Sequence, residues 1–584
     1  MQEKIISCII CALIFAAVFI IDISKDVDAQ VTEEWVVRYN GPENSQDRAM
    51  AMTLDRFGNI YVTGRVDVGD PTGGGDYCTI KYDNSGTELW ISRYDGPIGG
   101  GDYPIDIAVG PSGNVYVTGA SEKYAEFYGC DFATVAYDPN GNELWVARYD
   151  YVYDDQPCAL AIDSSENVYV TGMSIEWRPI PGGGATDYDF ATIKYDPLGN
   201  ELWVARYNSP GNGDDKATAI ALDPSGNVYV TGYGQAIGTY YDYITIAYDS
   251  DGNELWMVRY NGPGNNGDMA TDIALDSSGN VYVTGGSDND SDPYPDGNRD
   301  YTTIKYDSLG NQLWIARYNG LGDANDQVHA LSIGSSGNVY VTGYSNGVGN
   351  LYYAHDYATV AYDSSGNELW VARYDGPESS VDRVSDIALD SSENVYVTGY
   401  SDGYVKNEDY ATIKYDSSGN ELWVQRYNGP GNNSDRSCAI AVDDLSKDVY
   451  VTGFSSGIGT FYGSFDWATI KYSQEGYVLQ SAINIDPDTL SLKSKGKWIT
   501  CYINLPAPYD INDIKIGTVM LEDIVPAEWG DIQNDTLMVK FDRSDMEDYI
   551  GVPQESVELT VTGELADGTQ FSGSDTIRTI LPGK

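Results

Sequence analysis

The stretch that decides the fold is Asn114-Val115-Tyr116-Val117-Thr118-Gly119, because it returns eight times along the chain with little change. Each copy is a short β-branched and aromatic run that ends at a glycine and follows a polar turn, which is typical of a β-strand entered through a tight turn. The near-constant spacing predicts a repeat architecture. The central tyrosines of the copies are Tyr61, Tyr116, Tyr169, Tyr229, Tyr282, Tyr340, Tyr396 and Tyr450.

Each repeat contains four strand-like segments, which in the fifth repeat are 269–276, 280–285, 300–307 and 312–318. Four antiparallel strands per repeat of this length are typical of one blade of a β-propeller. The fourth segment carries the pattern Trp-x-x-Arg-Tyr, and its large tryptophan suits the wide outer end of a blade. These tryptophans are Trp35, Trp90, Trp145, Trp203, Trp256, Trp314, Trp370 and Trp423.

The phase of the repeat predicts how the ring closes. The chain begins the array with an isolated fourth strand at 33–39, and the last repeat supplies only three strands, ending at 468–472. Pairing these two ends would remove two open sheet edges at once. The sequence therefore predicts an all-β fold with an eight-bladed propeller closed by its N- and C-terminal strands.

The pattern Asp-x-Ala-x-x-Ile-Ala-Leu-Asp-x-x-Gly-Asn-Val-Tyr-Val-Thr-Gly, followed by Asp-Tyr-Ala-Thr-Ile-Lys-Tyr, resembles the secreted bacterial β-propeller (SBBP-type) repeats over about residues 31–473. The resemblance implies a propeller and export, and it implies no assigned activity. That family is usually described as seven-bladed, so seven blades is the alternative. The chain departs from the family in repeat number, in the added Trp-x-x-Arg-Tyr strand and in the turn at 445–448.

Two further regions flank the predicted propeller, which takes up residues 30–475. Residues 1–29 read as a secretory signal peptide, with Lys4 before an apolar run and Val27-Asp28-Ala29 as the cleavage site, and an uncleaved anchor is the alternative. Residues 476–584 contain short strand-like runs at 483–485, 498–503, 514–521, 536–541, 557–561 and 577–580. Their number and size predict an immunoglobulin-like β-sandwich.

The net charge of -54, from 88 acidic and 34 basic residues, argues against nucleic acid and anionic membranes as partners. It favours solubility and the binding of cations. The cysteines that follow the leader are single and odd in number, so no disulfide framework or CxxC metal site is predicted.

Candidate binding residues lie in the connections from the second to the third strand. These vary in length, while the other turns of each repeat are nearly constant, so one face of the ring is predicted to be variable and suited to recognition. Their aromatic residues could stack on sugars or anchor a peptide, or could pack over neighbouring loops. The candidates are Trp177, Arg178, Tyr240, Tyr241, Tyr352, Tyr353, Phe461 and Tyr462.

Two acidic sets could hold Ca²⁺, and the second of them could also hold Mg²⁺, since both ions prefer carboxylate oxygens. Asp288, Asp290 and Asp292 begin like a calcium loop, but Pro293 and Arg299 break the EF-hand pattern. The other set is one aspartate at the start of each first strand, where eightfold reuse favours capping of backbone N–H groups or pairing with the Trp-x-x-Arg-Tyr arginine. Its members are Asp47, Asp102, Asp155, Asp215, Asp268, Asp326, Asp382 and Asp435.

No catalytic residue is predicted. Three Gly-x-Ser-x-Gly matches, at 343–347, 399–403 and 453–457, follow a strand without the helix that a nucleophile elbow needs. The two histidines, His329 and His355, are interpreted as chance neighbours.

The sequence therefore predicts a monomeric, non-enzymatic protein that is secreted, at the cell surface or periplasmic. Its variable face would bind an extracellular glycan, peptide or protein. Two alternatives remain open: an extracellular enzyme, either a lyase or a quinoprotein-like oxidoreductase, and a purely structural cell-surface component.

Overall fold

Four-stranded antiparallel sheets account for residues 31–474 in the computed structural model of the chain. The structure describes residues 31–580 except for 44, 70–73, 124–128, 152–153, 181–182, 212, 236, 239, 289–298, 322–324, 347–354, 378–380, 403–406, 445, 458–463, 475–477, 488, 492–495, 507–508, 523, 534–535, 551–555 and 567–569.

Seven sheets, blades 1 to 7, are each built from four consecutive strands. Their bounds are β2 Arg48–Leu54, β3 Ile60–Asp67, β4 Gly75–Tyr82 and β5 Glu88–Tyr94 in blade 1; β6 Asp102–Val109, β7 Val115–Glu122, β8 Cys130–Tyr137 and β9 Glu143–Tyr149 in blade 2; β10 Asp155–Ile162, β11 Val168–Ile180, β12 Gly183–Tyr195 and β13 Glu201–Tyr207 in blade 3; β14 Asp215–Leu222, β15 Val228–Gln235, β16 Tyr241–Tyr248 and β17 Glu254–Tyr260 in blade 4; β18 Met269–Leu275, β19 Val281–Asp288, β20 Arg299–Tyr306 and β21 Gln312–Tyr318 in blade 5; β22 Gln327–Ile333, β23 Val339–Asn346, β24 His355–Tyr362 and β25 Glu368–Tyr374 in blade 6; β26 Asp382–Leu389, β27 Val395–Asp402, β28 Glu408–Tyr415 and β29 Glu421–Tyr427 in blade 7.

Blade 8 joins the two ends of the array. It consists of β30 (Asp435–Val442), β31 (Val449–Ser456), β32 (Phe465–Gln474) and β1 (Val31–Tyr39), in the order β1-β32-β31-β30. The first strands of neighbouring blades contact one another around the whole ring, including β2 with β30. The predicted closure is confirmed, and the ring has eight blades rather than seven.

The tryptophan of each fourth strand links its blade to the next one. Trp90 packs between Tyr61 of its own blade, at a ring-centroid distance of 6.0 Å, and Tyr137 of the following blade, at 6.2 Å. Its indole N–H donates to the carbonyl of Pro139, in the next blade's last turn, at 3.0 Å. The indole N–H of Trp423 has no acceptor among the described residues. In blade 8 no turn joins the third and fourth strands, because these strands come from the two ends of the repeat array.

Two blades lack the aspartate that caps the turn between the first and second strands, and the following blade compensates. Gly334 stands where Asp390 stands in blade 7, and Glu393 reaches back to accept hydrogen bonds from the Ser336 N–H at 2.5 Å and the Tyr340 hydroxyl at 3.0 Å. Glu393 does this from a left-handed conformation, φ 60°, at a turn position that is glycine in most repeats. Gly110 of blade 2 and Glu166 of blade 3 repeat this arrangement.

We predict that Glu393→Gly destabilises the propeller by about 1–2 kcal/mol, because the loss of the carboxylate contacts outweighs the relief of backbone strain. Adding Gly334→Asp should recover most of the loss, since it supplies the local cap found elsewhere. A Cβ at Gly334 would lie 2.5 Å from the Glu393 carboxyl carbon, so Gly334→Asp alone should not stabilise. Chemical denaturation of the two single variants and the double variant tests this, and purely additive effects would contradict it.

The C-terminal unit is all-β apart from short helices. Its strands form one nearly closed sheet, in the order β33-β41-β40-β37-β38-β39-β36-β34, with β35 also paired to β41. The strands are β33 Val478–Gln480, β34 Ala482–Asp486, β35 Thr489–Ser491, β36 Trp498–Asn504, β37 Met520–Leu521, β38 Val525–Gln533, β39 Thr536–Asp542, β40 Val557–Glu564 and β41 Gln570–Ile580. This sheet encloses a core that includes Ile499, Val539 and Phe571. The immunoglobulin-like arrangement of two packed sheets stays a prediction.

The predicted strand at 514–521 is wrong over most of its length. Two 3₁₀ turns, Ile511–Asp513 and Ile516–Thr518, take up that region, and the Asp510 carboxylate caps the first of them. Helix α1 (Arg543–Ile550) was not predicted from the sequence, and its Met546 and Ile550 are buried one helical turn apart. Among the described residues, no helix is long and apolar enough to cross a bilayer.

Candidate functional site

The two faces of the ring differ as the loop lengths predicted. On one face, the turns from third to fourth strand are held alike by an aspartate, as when Asp138 accepts from the backbone N–H groups of Asn140 and Asn142, both at 2.9 Å. On the other face lie the connections of unequal length, together with the links between blades. We call this second face the variable face.

Blade 3 has the longest second and third strands among the described residues. Its strands β11 and β12 remain paired as far as Ile180 and Gly183, and both strands have 13 residues where second strands elsewhere have 8. Five further residues at about 3.3 Å each make these two strands roughly 16 Å longer than an eight-residue strand. The backbones of Trp177 and Arg178 lie in the extension, opposite Thr186 and Ala185.

The other predicted ligand residues are only partly brought together. Tyr240 is 48% exposed on the loop before β16, while the Tyr241 ring packs against Tyr233 at a centroid distance of 5.2 Å. Asp288 is buried at the end of β19. The predictions for Tyr352, Tyr353, Phe461, Tyr462, Asp290 and Asp292 lie outside the described residues.

The aspartate that opens each first strand is buried and closes the link from the preceding blade. Asp102 accepts from the Gly96 N–H at 2.7 Å and Asp382 from the Gly376 N–H at 2.8 Å, and the other repeats do the same with small variations. Burial raises the pKa of both carboxyls to about 6. The arginine of Trp-x-x-Arg-Tyr pairs with a different aspartate, at the start of the third strand: Arg148 contacts Asp131 at 2.9 Å.

A set of carboxylates that the sequence analysis missed lines the inner strands. Asp106, Asp272 and Asp386 stand at one position of β6, β18 and β26, where the other five repeats have alanine. Each bridges two blades: Asp386 accepts from its neighbour Ile387 at 2.8 Å and from Ile440 of the next blade at 2.9 Å. The departure from alanine in three repeats was the signal that could have identified them.

These three carboxylates satisfy the backbone at β-bulges, where the inner strands shift register. Burial raises the pKa of Asp106 and Asp272 to about 6. It raises that of Asp386 to about 7, with a further contribution from repulsion by the other two.

Cationic side chains stacked on aromatic rings form a second unpredicted set, at the variable-face end of the inner and neighbouring strands. The Arg48 guanidinium lies 5.2 Å from the Phe454 ring centroid, and that of Arg383 lies 4.8 Å from the Tyr344 ring centroid. The Lys216 ammonium lies 4.9 Å from the Tyr188 ring centroid. Each ring belongs to the preceding blade, so the stacking spans blade junctions.

These cations have no carboxylate partner among the described residues, in a chain with 88 acidic and 34 basic residues. The pKa of Arg48 is lowered by burial and by repulsion from Arg65 and Arg436. Arg436 is itself paired with Glu408 at 2.5 Å. We call Arg48, Lys216 and Arg383, with the rings they cover, the cationic rim.

The two histidines lie beside the cationic rim. The rings of His329 and His355 pack on either side of Tyr344, at centroid distances of 5.5 and 4.8 Å. Burial and the neighbouring Arg383 charge lower the pKa of His329 to about 4 and also lower that of His355. Both imidazoles are therefore neutral near pH 7 and able to accept or donate a hydrogen bond.

Comparison with known proteins agrees with the repeat architecture. A family model described as the SBBP β-propeller repeat matches residues 202–238 and 369–405. The chain is also 24% identical, over 541 residues, to an uncharacterized WD repeat-containing protein of Acanthamoeba polyphaga mimivirus, an alignment that covers 72% of this chain and 36% of that protein.

Two solved structures resemble the chain at lower sequence identity than the WD repeat-containing protein does. A eukaryotic initiation factor is 9% identical, with 66% of this chain and 79% of that chain covered and a TM-score of 0.35. A puromycin hydrolase is 12% identical, with 69% and 59% covered and a TM-score of 0.36. At these scores neither likeness carries an argument about this chain.

Proposed function

We propose that this protein is an exported, non-enzymatic binding propeller whose variable face recognises an extracellular ligand bearing carboxylate or sulfate groups, such as an acidic glycan or an acidic peptide. The observation that carries the proposal is the cationic rim. Its side chains stay without a carboxylate partner among the described residues, although acidic residues outnumber basic ones.

A cation held against an aromatic ring suits such a ligand for two reasons. The ring restricts the long side chain, so less conformational entropy is lost when the charge binds an anion. The guanidinium groups of Arg48 and Arg383 can each form two parallel hydrogen bonds with a carboxylate or sulfate. Exposed Tyr240 adds aromatic surface on the same face.

The overall negative charge limits what the rim can hold. A long polyanion would be repelled by the rest of the surface, whereas a ligand with one or a few acidic groups experiences mainly the nearby cations at physiological ionic strength. The proposal therefore favours isolated uronate, sulfate or carboxylate groups over densely charged chains.

We predict that Arg383→Ala weakens binding about tenfold, the effect of losing one charge-assisted hydrogen-bonded contact. Arg48→Ala should act similarly, and affinity should fall as salt is raised. The matched control is Arg56→Ala, because Arg56 also stacks on a ring, 4.7 Å from the Phe57 centroid, but lies in the turn at the opposite face.

The measurement is a glycan and peptide array with purified full-length protein, followed by titration of the ligands that bind. Neutral and acidic members of each ligand pair must be compared. If Arg383→Ala and Arg56→Ala bind the acidic ligand with equal affinity, or if the protein prefers the neutral members, the proposal is contradicted. Turnover of a ligand on the array would instead favour the enzyme alternative.

A further inference from the structure

Two neighbouring blade junctions place an arginine on a tyrosine in the same way. Arg383 and Arg436 each follow the aspartate that opens a first strand, in blades 7 and 8. The Arg383 guanidinium lies 4.8 Å from the Tyr344 ring centroid, and that of Arg436 lies 4.5 Å from the Tyr400 ring centroid. Both tyrosines come directly after the Val-Thr-Gly of the preceding blade's second strand. The two arginines therefore stand at equivalent positions of the repeat.

At the junction between blades 7 and 8, the chain itself supplies a carboxylate to the arginine. Glu408 opens the third strand of blade 7 and accepts two hydrogen bonds from Arg436, with Nε–Oε2 at 2.5 Å and Nη2–Oε1 at 2.7 Å. This is the bidentate pairing in which two parallel N–H groups meet the two oxygens of one carboxylate. An arginine held on a tyrosine at this position therefore presents its Nε edge to a carboxylate.

At the junction between blades 6 and 7, the same edge of the arginine has no acceptor. His355 opens the third strand of blade 6, at the position that Glu408 takes in blade 7. Burial and the Arg383 charge lower the pKa of His355, so its imidazole is neutral near pH 7. Arg383 Nε is buried and has no hydrogen-bond partner among the described residues. This junction thus keeps the arginine and lacks the carboxylate.

Two further buried polar atoms of the same junction lack partners. Asn346 and His355 are directly opposite each other on β23 and β24. In the described part of the chain, Asn346 Oδ1 and His355 Nδ1 are buried without a hydrogen-bond partner. Buried polar groups are normally hydrogen-bonded, and an unsatisfied one is destabilising. Together with Arg383 Nε, these atoms indicate that a polar group from outside the chain completes the junction.

We propose that this junction binds a glutamate side chain of a partner polypeptide, whose carboxylate takes the place beside Arg383 that Glu408 takes beside Arg436. This assignment rests on the proposed function, because Arg383 belongs to the cationic rim, and it narrows the ligand to one class. Arg383 Nε is buried, so the carboxylate has to reach it on a slim, flexible stem. A glutamate side chain has such a stem, whereas the carboxylate of a uronate is attached directly to a bulky sugar ring.

The other members of the cationic rim do not offer this place. Arg48 lies over Phe454 and also over Phe465, at 5.2 and 5.4 Å from the ring centroids. Phe465 opens the third strand of blade 8 and so puts an apolar side chain at the position of Glu408. Lys216 has a single ammonium group, which cannot form the bidentate pairing. Arg383 is therefore the member of the rim that matches the paired junction.

The test is a ligand-observed NMR titration of the full-length protein with four probes: capped tripeptides that carry a central glutamate, aspartate or glutamine, and glucuronate. We expect the glutamate peptide to bind best and the glutamine peptide at least about tenfold more weakly, because it lacks the charge. Arg383→Lys should weaken binding of the glutamate peptide about tenfold, since lysine keeps the charge but loses the bidentate contact. Arg436→Lys is the matched control and should leave the affinity unchanged, because Glu408 already occupies Arg436.

A second pair of variants changes the position that faces Arg383. His355→Glu should remove binding of the glutamate peptide and raise the unfolding temperature, because the new carboxylate pairs with Arg383 as Glu408 does with Arg436. His355→Gln has the size of glutamate without its charge and should keep the wild-type affinity within about twofold. Glutamate occurs naturally at this position in blade 7, so His355→Glu is expected to fold, and circular dichroism checks this.

The assignment is overturned if His355→Glu binds the glutamate peptide as the wild type does, or if Arg383→Lys and Arg436→Lys lose the same affinity. Tighter binding of glucuronate than of the glutamate peptide would assign the site to an acidic glycan and overturn the assignment to a polypeptide. In each of these cases the proposed function stands if Arg48→Ala still weakens binding of acidic ligands. Absence of binding of every acidic probe to the wild type would overturn the proposed function, and this assignment with it.

Discussion

Deletion of residues 31–39 is expected to abolish the folded propeller, although it removes only one strand of the ring. Strand β1 is the fourth strand of blade 8 and covers the edge of β32, to which it is paired. Its Arg38 donates to the Tyr427 hydroxyl of blade 7 at 2.8 Å and to Asp466 of β32 at 2.9 Å. Loss of β1 removes this partner from the partly buried Asp466 and exposes a long unpaired edge.

The measurement is the yield of soluble, cooperatively unfolding protein from a chain that begins at Gly41. Addition of a synthetic peptide with the sequence of residues 31–39 should restore folding, because the strand can pair with β32 without being covalently attached. A graded control is Arg38→Ala in the intact chain, which should cost about 1–3 kcal/mol by removing the charge-assisted hydrogen bonds to a partly buried carboxylate. A deletion variant that unfolds at the wild-type temperature would show that the ring does not depend on its N-terminal strand.

The thermal stability of the propeller is expected to be higher at pH 5 than at pH 8. Burial raises the pKa of many aspartates. The largest shifts are to about 6 for Asp47, Asp102, Asp106, Asp215, Asp268, Asp272 and Asp382, and to about 7 for Asp386. Their unfolded pKa values lie near 3.9. The folded chain therefore binds more protons than the unfolded chain between about pH 4 and 7, and stability falls as pH rises through that window.

The aspartates in the turns between third and fourth strands change stability in the opposite direction, but they do so at pH values below this window. Hydrogen bonds from Asn142 and Asn200 lower the pKa of Asp138 and Asp196, so their contribution is complete above about pH 4 and changes little between pH 5 and 8. The buried set therefore dominates, with a loss on the order of 1 kcal/mol per carboxyl between pH 5 and 8.

Calorimetry at constant ionic strength measures this effect, and a decrease of several degrees from pH 5 to pH 8 is expected. Asp386→Asn should reduce the slope, because it removes the carboxyl with the highest pKa among the inner-strand set. An unfolding temperature that is unchanged or higher at pH 8 would contradict the prediction.

The fold could be read from the sequence because the repeat carries redundant information. Strand order, blade number and the composite blade all follow from the phase of the Val-Tyr-Val-Thr-Gly and Trp-x-x-Arg-Tyr patterns. The C-terminal unit has no repeat, and there single-segment patterns misplaced 514–521 and missed α1. Short apolar runs do not distinguish a strand from a 3₁₀ turn or helix without their tertiary partners.

The candidate sites were harder to predict, because they depend on small departures from the repeat. Asp106, Asp272 and Asp386 differ from their alanine counterparts at one position, and their role appears only when the neighbouring blade's bulge is placed beside them. The cationic rim likewise combines an inner-strand residue of one blade with a ring of the blade before it.

By itself the sequence determined the all-β class, the eight blades, the sealing of the ring by its two ends and the face on which the loops vary. These depend on periodicity and on the chemistry of each strand, which are local properties. Only the tertiary structure decided which charges meet: Arg148 with Asp131 rather than Asp102, Glu393 with the turn of the preceding blade, and Lys123 with Asp131 and Asp150. Such pairs join side chains on neighbouring strands or blades, so their geometry exists only once the ring has closed.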